Sequence, residues 1–188
     1  MAFGLSYEFI NPGESVLDIG IGTGLGCALF HKSGLRVFGM DKSIEMLEAC
    51  RRKSFASGLK KHDLTIEPYP YGTASVNHAI CIGVLDLVED LTPVFKETSR
   101  ILRNSGVFVF TVAHRGPGED PKYTAGPQSA QSGAVVTMYR RNACEVNSLL
   151  AANRFDLLRS VDFFAYMDPE KTIPLRLKAY VARRILVD

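Results

Sequence analysis

Apolar residues in this chain come in short continuous runs, and glycine- or proline-marked turns and stretches of helical spacing lie between them. Ser15 to Ile19, interrupted only by Asp18, leads straight into Gly20, Gly22, Gly24 and Gly26. That order predicts a strand, a glycine turn and a helix that lays Leu25, Ala28 and Leu29 on the sheet and ends at Ser33-Gly34. Arg36 to Met40 is a second strand stopping at Asp41. Ser43 then caps a helix whose Ile44, Leu47 and Cys50 fall at i, i+3 and i+6. Lys60 to Leu64 reads as a short third strand, Pro68, Pro70 and Gly72 force a loop, and Val76 to Val84 is the fourth strand.

Thr92-Pro93 opens a helix with Val94, Phe95, Thr98, Ile101 and Leu102 on one stripe. After the turn Asn104-Ser105-Gly106, the run Val107 to Val112 has the pattern of a central strand covered on both faces. His114 to Gly133 is rich in Pro, Gly, Ser and Gln and reads as a surface loop, with Gly116 to Gly133 a mobile lid. Asn142 and Glu145 have capping-box spacing, and Val146, Leu149 and Leu150 mark the buried side of the helix they start. Phe155 to Tyr166 and Leu175 to Val187 are closing strands. Their linker, Met167 to Pro174, is too short for a helical crossover, so they form an antiparallel hairpin. The expected fold is α/β: a doubly wound Rossmann-like sheet of about seven strands, mostly parallel with a C-terminal antiparallel hairpin, helices on both faces, and ligands at the carboxyl ends of the strands.

With 188 residues, 46% hydrophobic and 22% charged, the chain suits one domain over residues 1–188 with a substantial core. No apolar run approaches the roughly 20 residues of a membrane span. Met1 to Asn11 carries no secretory pattern, which points to the cytosol. The four cysteines, Cys27, Cys50, Cys81 and Cys144, lack zinc-site spacing and read as reduced packing residues. A net charge of +2, from basic and acidic residues scattered in small groups, gives no stripe for nucleic acid.

Asp18-x-Gly20-x-Gly22-x-Gly24 and Asp41 are two independent signals for a nucleoside ligand. Glycines let the backbone turn tightly and approach a ligand with free N–H groups, and an acid at a strand tip can accept both ribose hydroxyls. The dinucleotide fingerprint Gly-x-Gly-x-x-Gly fails in all registers, because Leu25, Cys27 and Leu29 occupy the final position. A triphosphate loop fails as well, since no lysine follows the glycines until Lys32. A nucleoside without a pyrophosphate fits best.

Val16 to Gly24 resembles the first motif of class I S-adenosylmethionine-dependent methyltransferases. Gly39 to Leu47 is similar to the second, His62-Asp63-Leu64 to the third, and Gly83-Val84-Leu85, Glu89-Asp90-Leu91 and Ile101 to Gly106 continue the pattern. The tail, from Tyr139-Arg140-Arg141 through Ile173-Pro174 to Arg184, also resembles the Williams–Beuren-region methyltransferase-like group. The resemblance implies S-adenosyl-L-methionine as cofactor, held by Asp18, Gly20, Gly22, Thr23, Gly24, Asp41, Lys42, Met46, Asp63, Leu64 and Ile82. Structural readings stand beside these: Asp18 can hold the glycine turn, Asp41 can cap a helix, Asp63 can make its own loop turn, and Met46 reads as core packing on its helix.

The chain departs from the family in Asn104-Ser105-Gly106 for Pro-Gly-Gly and in Asn77-His78 before the fourth strand. It also lacks an Asn/Asp-Pro-Pro-Tyr/Phe signature, which counts against amino groups of bases or glutamine as acceptors. Only 14 residues precede the first strand, so the acceptor pocket is expected to be shallow or incomplete. A small-molecule acceptor is expected, with an exposed protein side chain second and neither nucleic acid nor membrane as partner. Methyl transfer needs alignment first and a base only for a protonated acceptor. No metal is implied. Asp86 and His114 are the candidate catalytic groups, with Tyr139 a third on the same side of the sheet. A non-catalytic cofactor-binding module and an NAD-type nucleotide enzyme are the competing readings.

Overall fold

β5 (Val107–His114) is the strand around which the sheet is built, and burial on both faces explains its unbroken β-forming sequence. The computed structural model describes residues 1–125, 136–166 and 174–185. Among them nine strands form one sheet. β1 (Ser15–Ile19), β2 (Arg36–Asp41), β3 (Ala56–Lys61), β4 (His78–Cys81) and β5 run parallel in the order β3-β2-β1-β4-β5. β8 (Phe155–Tyr166) and β9 (Pro174–Arg184) form the expected antiparallel hairpin, and β9 lies antiparallel on β5 from Val107 to Ala113.

The helices are α1 (Ala2–Ser6), α2 (Ala28–Lys32), α3 (Ile44–Arg51), α4 (Thr92–Ile101) and α5 (Ala143–Ala152). Side chains alternate across β5 into two cores. Phe108 and Phe110 face α4, where Phe95 packs edge-on to both at 5.5 and 5.2 Å, and Tyr180 stacks on Phe110 at 5.1 Å. Val107 and Val109 face the other way, toward Phe30 of α2 and Leu47 and Cys50 of α3. The predicted stripe of α4 is buried throughout, and Asn142 with Glu145 forms the capping box that starts α5.

Several expectations are corrected. The sheet has nine strands rather than seven, because β6 (Lys122–Ala125) and β7 (Val136–Arg141) form an antiparallel hairpin in and after the region read as loop. A four-residue strand in Pro- and Gly-rich surroundings has too little periodicity to register. Residues 126–133 of the expected lid, and most of the 167–174 linker, lie outside the described residues. The third strand is Ala56–Lys61, an edge strand bulged against Val37/Phe38, which places Asp63 and Leu64 in the loop beyond its end. Cys144 is exposed, unlike the other three cysteines.

The start of α2 moves too. It begins at Ala28 and buries Phe30, while Cys27 is buried just before it; Leu25 and Leu29, expected on the sheet face, are exposed. β7 pairs in parallel with Ala113 and His114, beyond Phe110, where β4 ends. Since β9 holds the other edge of β5, β7 takes the edge that β4 leaves, and the β6–β7 hairpin stands at the carboxyl end of β4.

Candidate functional site

At the carboxyl ends of β1, β2 and β4 lies a cavity of about 510 Å³, within the size range of sites for drug-sized ligands. β1 ends at Gly20, whose backbone is left-handed at φ +76°. The N–H groups of Gly20 and Ile21 both donate to the Met40 carbonyl, at 2.8 and 3.0 Å, so the turn is bonded to the end of β2. At Gly22, φ +51°, a Cβ would project into open space. The loop therefore leaves a cradle beside its backbone that any larger residue would enter.

Asp41, at the end of β2, closes this arrangement. Its Oδ2 accepts the Gly22 N–H at 2.8 Å and its Oδ1 accepts the Ser43 N–H at 2.9 Å. A carboxylate offers about four lone-pair sites, so each oxygen keeps capacity for a ligand hydroxyl. Ser43 Oγ caps α3 by accepting the Met46 N–H at 3.1 Å. Met46 is 46% exposed and lines the cavity, which corrects its reading as a core residue. Asp63 makes the loop turn that its residue type allows, its Oδ1 accepting from Thr65 N and Oγ1 at 2.9 and 2.8 Å. Those bonds, the backbone one foremost, hold its carboxyl below the usual range. Asp63 and Leu64 line the cavity at the same time.

Of the residues named from sequence, Gly20, Gly22, Thr23, Asp41, Lys42, Met46, Asp63, Leu64 and Ile82 line the cavity. Gly24 and Asp18 stand behind it. At Gly24, φ +82°, a Cβ would lie 2.5 Å from Phe55 Cζ and 2.9 Å from Cys50 Sγ. Asp18 is 2% exposed, beneath Gly26, and burial pushes its carboxyl up to about 7; a Cys27 hydrogen bond opposes the rise and the Asp41 charge adds to it.

Asp86, His114 and Tyr139 lie outside the cavity lining. Asp86 is 4% exposed, its Oδ1 accepts the Ala113 N–H at 2.6 Å, and burial lifts its carboxyl to about 6 against the pull of that bond and of Arg141. His114 has a buried Nδ1 without a partner among the described residues, and burial followed by the Arg176 charge lowers its pKa. Tyr139 donates to Glu89 Oε2 at 3.2 Å. Sequence reasoning missed Leu25, Leu87 and Val88 as lining residues. No motif carries them, and the exposure of Leu25 depends on where α2 begins.

Two acidic side chains, Asp41 and Asp63, line the cavity together with Lys42 and the glycine turn, whose Gly20, Ile21, Gly22 and Gly24 N–H groups are bonded within the protein. That donor and acceptor set suits a ribose, an adenine and a charged amino-acid tail, the three parts of an S-adenosylmethionine.

The methyltransferase-domain family profile matches residues 17–110. The chain is 30% identical over 162 residues to the malonyl-(acyl-carrier protein) O-methyltransferase of Serratia marcescens, covering 84% of this chain and 60% of that protein. It is 27% identical over 108 residues to the ubiquinone biosynthesis O-methyltransferase of Sodalis glossinidius, covering 56% of this chain and 43% of the relative. The chain thus spans less than two thirds of either relative's length. In three dimensions it superposes on an S-adenosylmethionine-dependent methyltransferase of Methanosarcina mazei with a TM-score of 0.82 at 15% identity, covering 97% of this chain and 98% of the other. At that identity the likeness establishes a shared fold.

Proposed function

The chain belongs to the methyltransferase-domain family, class I and S-adenosylmethionine-dependent, and we propose on that premise that it methylates a small-molecule acceptor. The observation that carries this reading is Asp41: its carboxylate is fixed at the tip of β2 by two backbone N–H groups and faces a cavity roofed by the glycine turn. Oxygen acceptors come first in a screen, supported by the two O-methyltransferase relatives, of which one is named for ubiquinone biosynthesis and the other for a malonyl group on an acyl-carrier protein.

The cofactor's ribose hydroxyls fall to Asp41, its adenine to Met46 and Leu64 with Asp63 at its amino group, and its methionine end to the glycine turn above Asp18. S-adenosylmethionine, when bound, supplies an electrophilic methyl carbon that an acceptor lone pair displaces in line from sulfur, which keeps the C–S electron pair. The chain's task is therefore alignment and exclusion of water. For an acceptor that must lose a proton, this reading puts forward Asp86 and His114. Burial lowers the pKa of His114, which favours the neutral imidazole that a base requires, whereas Asp86 is buried with Oδ1 spent on Ala113; both stand outside the cavity lining, so either acts only on an acceptor that reaches beyond it.

The test is thermal unfolding with S-adenosylmethionine, S-adenosylhomocysteine and NAD, in wild type and Asp41→Ala. A ligand at a hundred times its Kd adds about 2.7 kcal/mol of stability. A shift with both adenosyl compounds, lost in Asp41→Ala and absent with NAD, supports the reading. A shift with NAD alone overturns it. Adenosyl binding without label transfer to any acceptor in the screen assigns a non-catalytic binding module instead.

A further inference from the structure

The cavity lining combines charged side chains, Asp41, Lys42 and Asp63, with apolar ones, among them Leu25, Leu87 and Val88. Leu25 is 81% exposed and Leu87 50% exposed. Single exposed leucines are common on protein surfaces, but these two stand on segments tied down from behind. Leu25 follows Gly24, whose N–H donates to the Ile21 carbonyl at 2.8 Å, and the Leu87 N–H donates to the Val84 carbonyl at 3.0 Å.

Behind Leu87 the ties multiply. Asp86 is bonded to Ala113 of β5, and Arg141 Nη2 of β7 donates to the carbonyls of Val88 and Glu89 at 2.7 and 2.5 Å. The Glu89 carboxylate in turn pairs with Lys122 of β6 at 2.5 Å. These polar bonds fix the backbone that carries Leu87, whose apolar side chain lies at the cavity. Covering a leucine that is already held in place gains hydrophobic free energy at little further cost in chain entropy.

We infer that Leu25 and Leu87 are acceptor-specificity residues, and that the acceptor carries an apolar group, aliphatic or aromatic, that lies against them. The inference rests on the methyltransferase reading of the same cavity, with the cofactor held at Asp41 and Asp63. The Arg141 ties give it a pre-formed wall rather than one assembled by the ligand.

The experiment titrates 1-anilinonaphthalene-8-sulfonate, as a fluorescent apolar probe, into protein saturated with S-adenosylhomocysteine. Wild type is compared with Leu25→Gln, Leu87→Gln and Leu87→Met, and S-adenosylhomocysteine affinity is measured by calorimetry before the dye is added. The expected result is dye binding weakened about tenfold in each Gln variant, equivalent to about 1.4 kcal/mol, near-wild-type binding in Leu87→Met, and nucleoside affinity unchanged in all. Dye binding indifferent to both Gln substitutions overturns the inference and leaves the cofactor reading intact. Nucleoside affinity falling together with dye binding also overturns it, since the leucines then belong to the cofactor's seat. Absence of nucleoside binding to wild type overturns the cofactor reading itself.

Discussion

Val84 occupies the space that a side chain on Gly20 would need: its Cγ2 lies 2.7 Å from where a Cβ on Gly20 would sit. The turn after β1 and the wall after β4 are therefore in van der Waals contact, with no room between them for even a methyl group. Gly20→Ala combines that overlap with a left-handed φ of +76°. Strain of about 1–2 kcal/mol from the backbone and about 1–3 kcal/mol from overpacking predicts a loss of roughly 2–5 kcal/mol. Urea unfolding measures it, and a change under 1 kcal/mol means that Val84 moves aside freely.

Asp18 predicts a stability that falls with rising pH. Its folded pKa of about 7 lies above its ordinary value of 3.8, so between those values the native state holds a proton that the unfolded chain releases. Stability from this group is present below pH 3.8, declines as pH rises toward 7, and stays at its lower level above that. Asp18→Asn removes the penalty. It is expected to be more stable than wild type at pH 8 by roughly 4 kcal/mol, taking about 1.4 kcal/mol per pKa unit, and to differ little at pH 4. Equal stabilities at pH 8 in denaturant titrations of the cofactor-free protein contradict this.

Glu97 behaves in the opposite sense. Its side chain is 4% exposed, and its oxygens accept from Arg100 Nε and Nη2 at 2.7 and 2.6 Å and from Tyr69 N at 2.5 Å. The Arg100 hydrogen bonds hold its pKa below 4.5 against burial. The contribution is complete above pH 4.5 and is lost as pH falls through the lower folded value. Glu97→Ala leaves Arg100 and the Tyr69 N–H without their partner. Breaking a buried pair costs about 3–5 kcal/mol, and the partial exposure of Arg100 brings the expected loss to about 3 kcal/mol at pH 7. A loss below 1 kcal/mol by chemical denaturation rules the pair out as a stabilising element.

Arg141 carries the bond between β7 and the cavity wall. Hydrogen bonds from a charged donor contribute about 1.5–3 kcal/mol each, and Arg141→Ala removes two that reach the Val88 and Glu89 carbonyls. Amide exchange at Leu87 and Val88 should quicken at least tenfold while the central strand β5 keeps its protection. Arg141→Lys should restore part of it, because an ammonium on a similar stem can reach one carbonyl. Exchange unchanged in Arg141→Ala would show that the wall is held by Asp86 and Glu89 alone.

The sequence alone determined the parallel core, because Ser15–Ile19, Arg36–Asp41 and Val107–His114 carry their own signal in continuous β-forming residues closed by glycine, aspartate or histidine. It also located the glycine turn and Asp41 at strand ends, where the structure has them lining the cavity. Local rules sufficed for the caps at Ser43 and Asn142 as well, since each needs only the next three residues. Tertiary structure decided what depends on distant partners. β6 and β7 are strands only because β4 stops at Cys81 and leaves an edge of β5 open beside Ala113. Leu25 and Met46 carry apolar side chains that periodicity assigns to a core, yet both line the cavity, because α2 starts late and α3 presents its first turn to the glycine loop. Periodicity reports which residues share a face; only the assembled sheet fixes whether that face meets a core or a ligand.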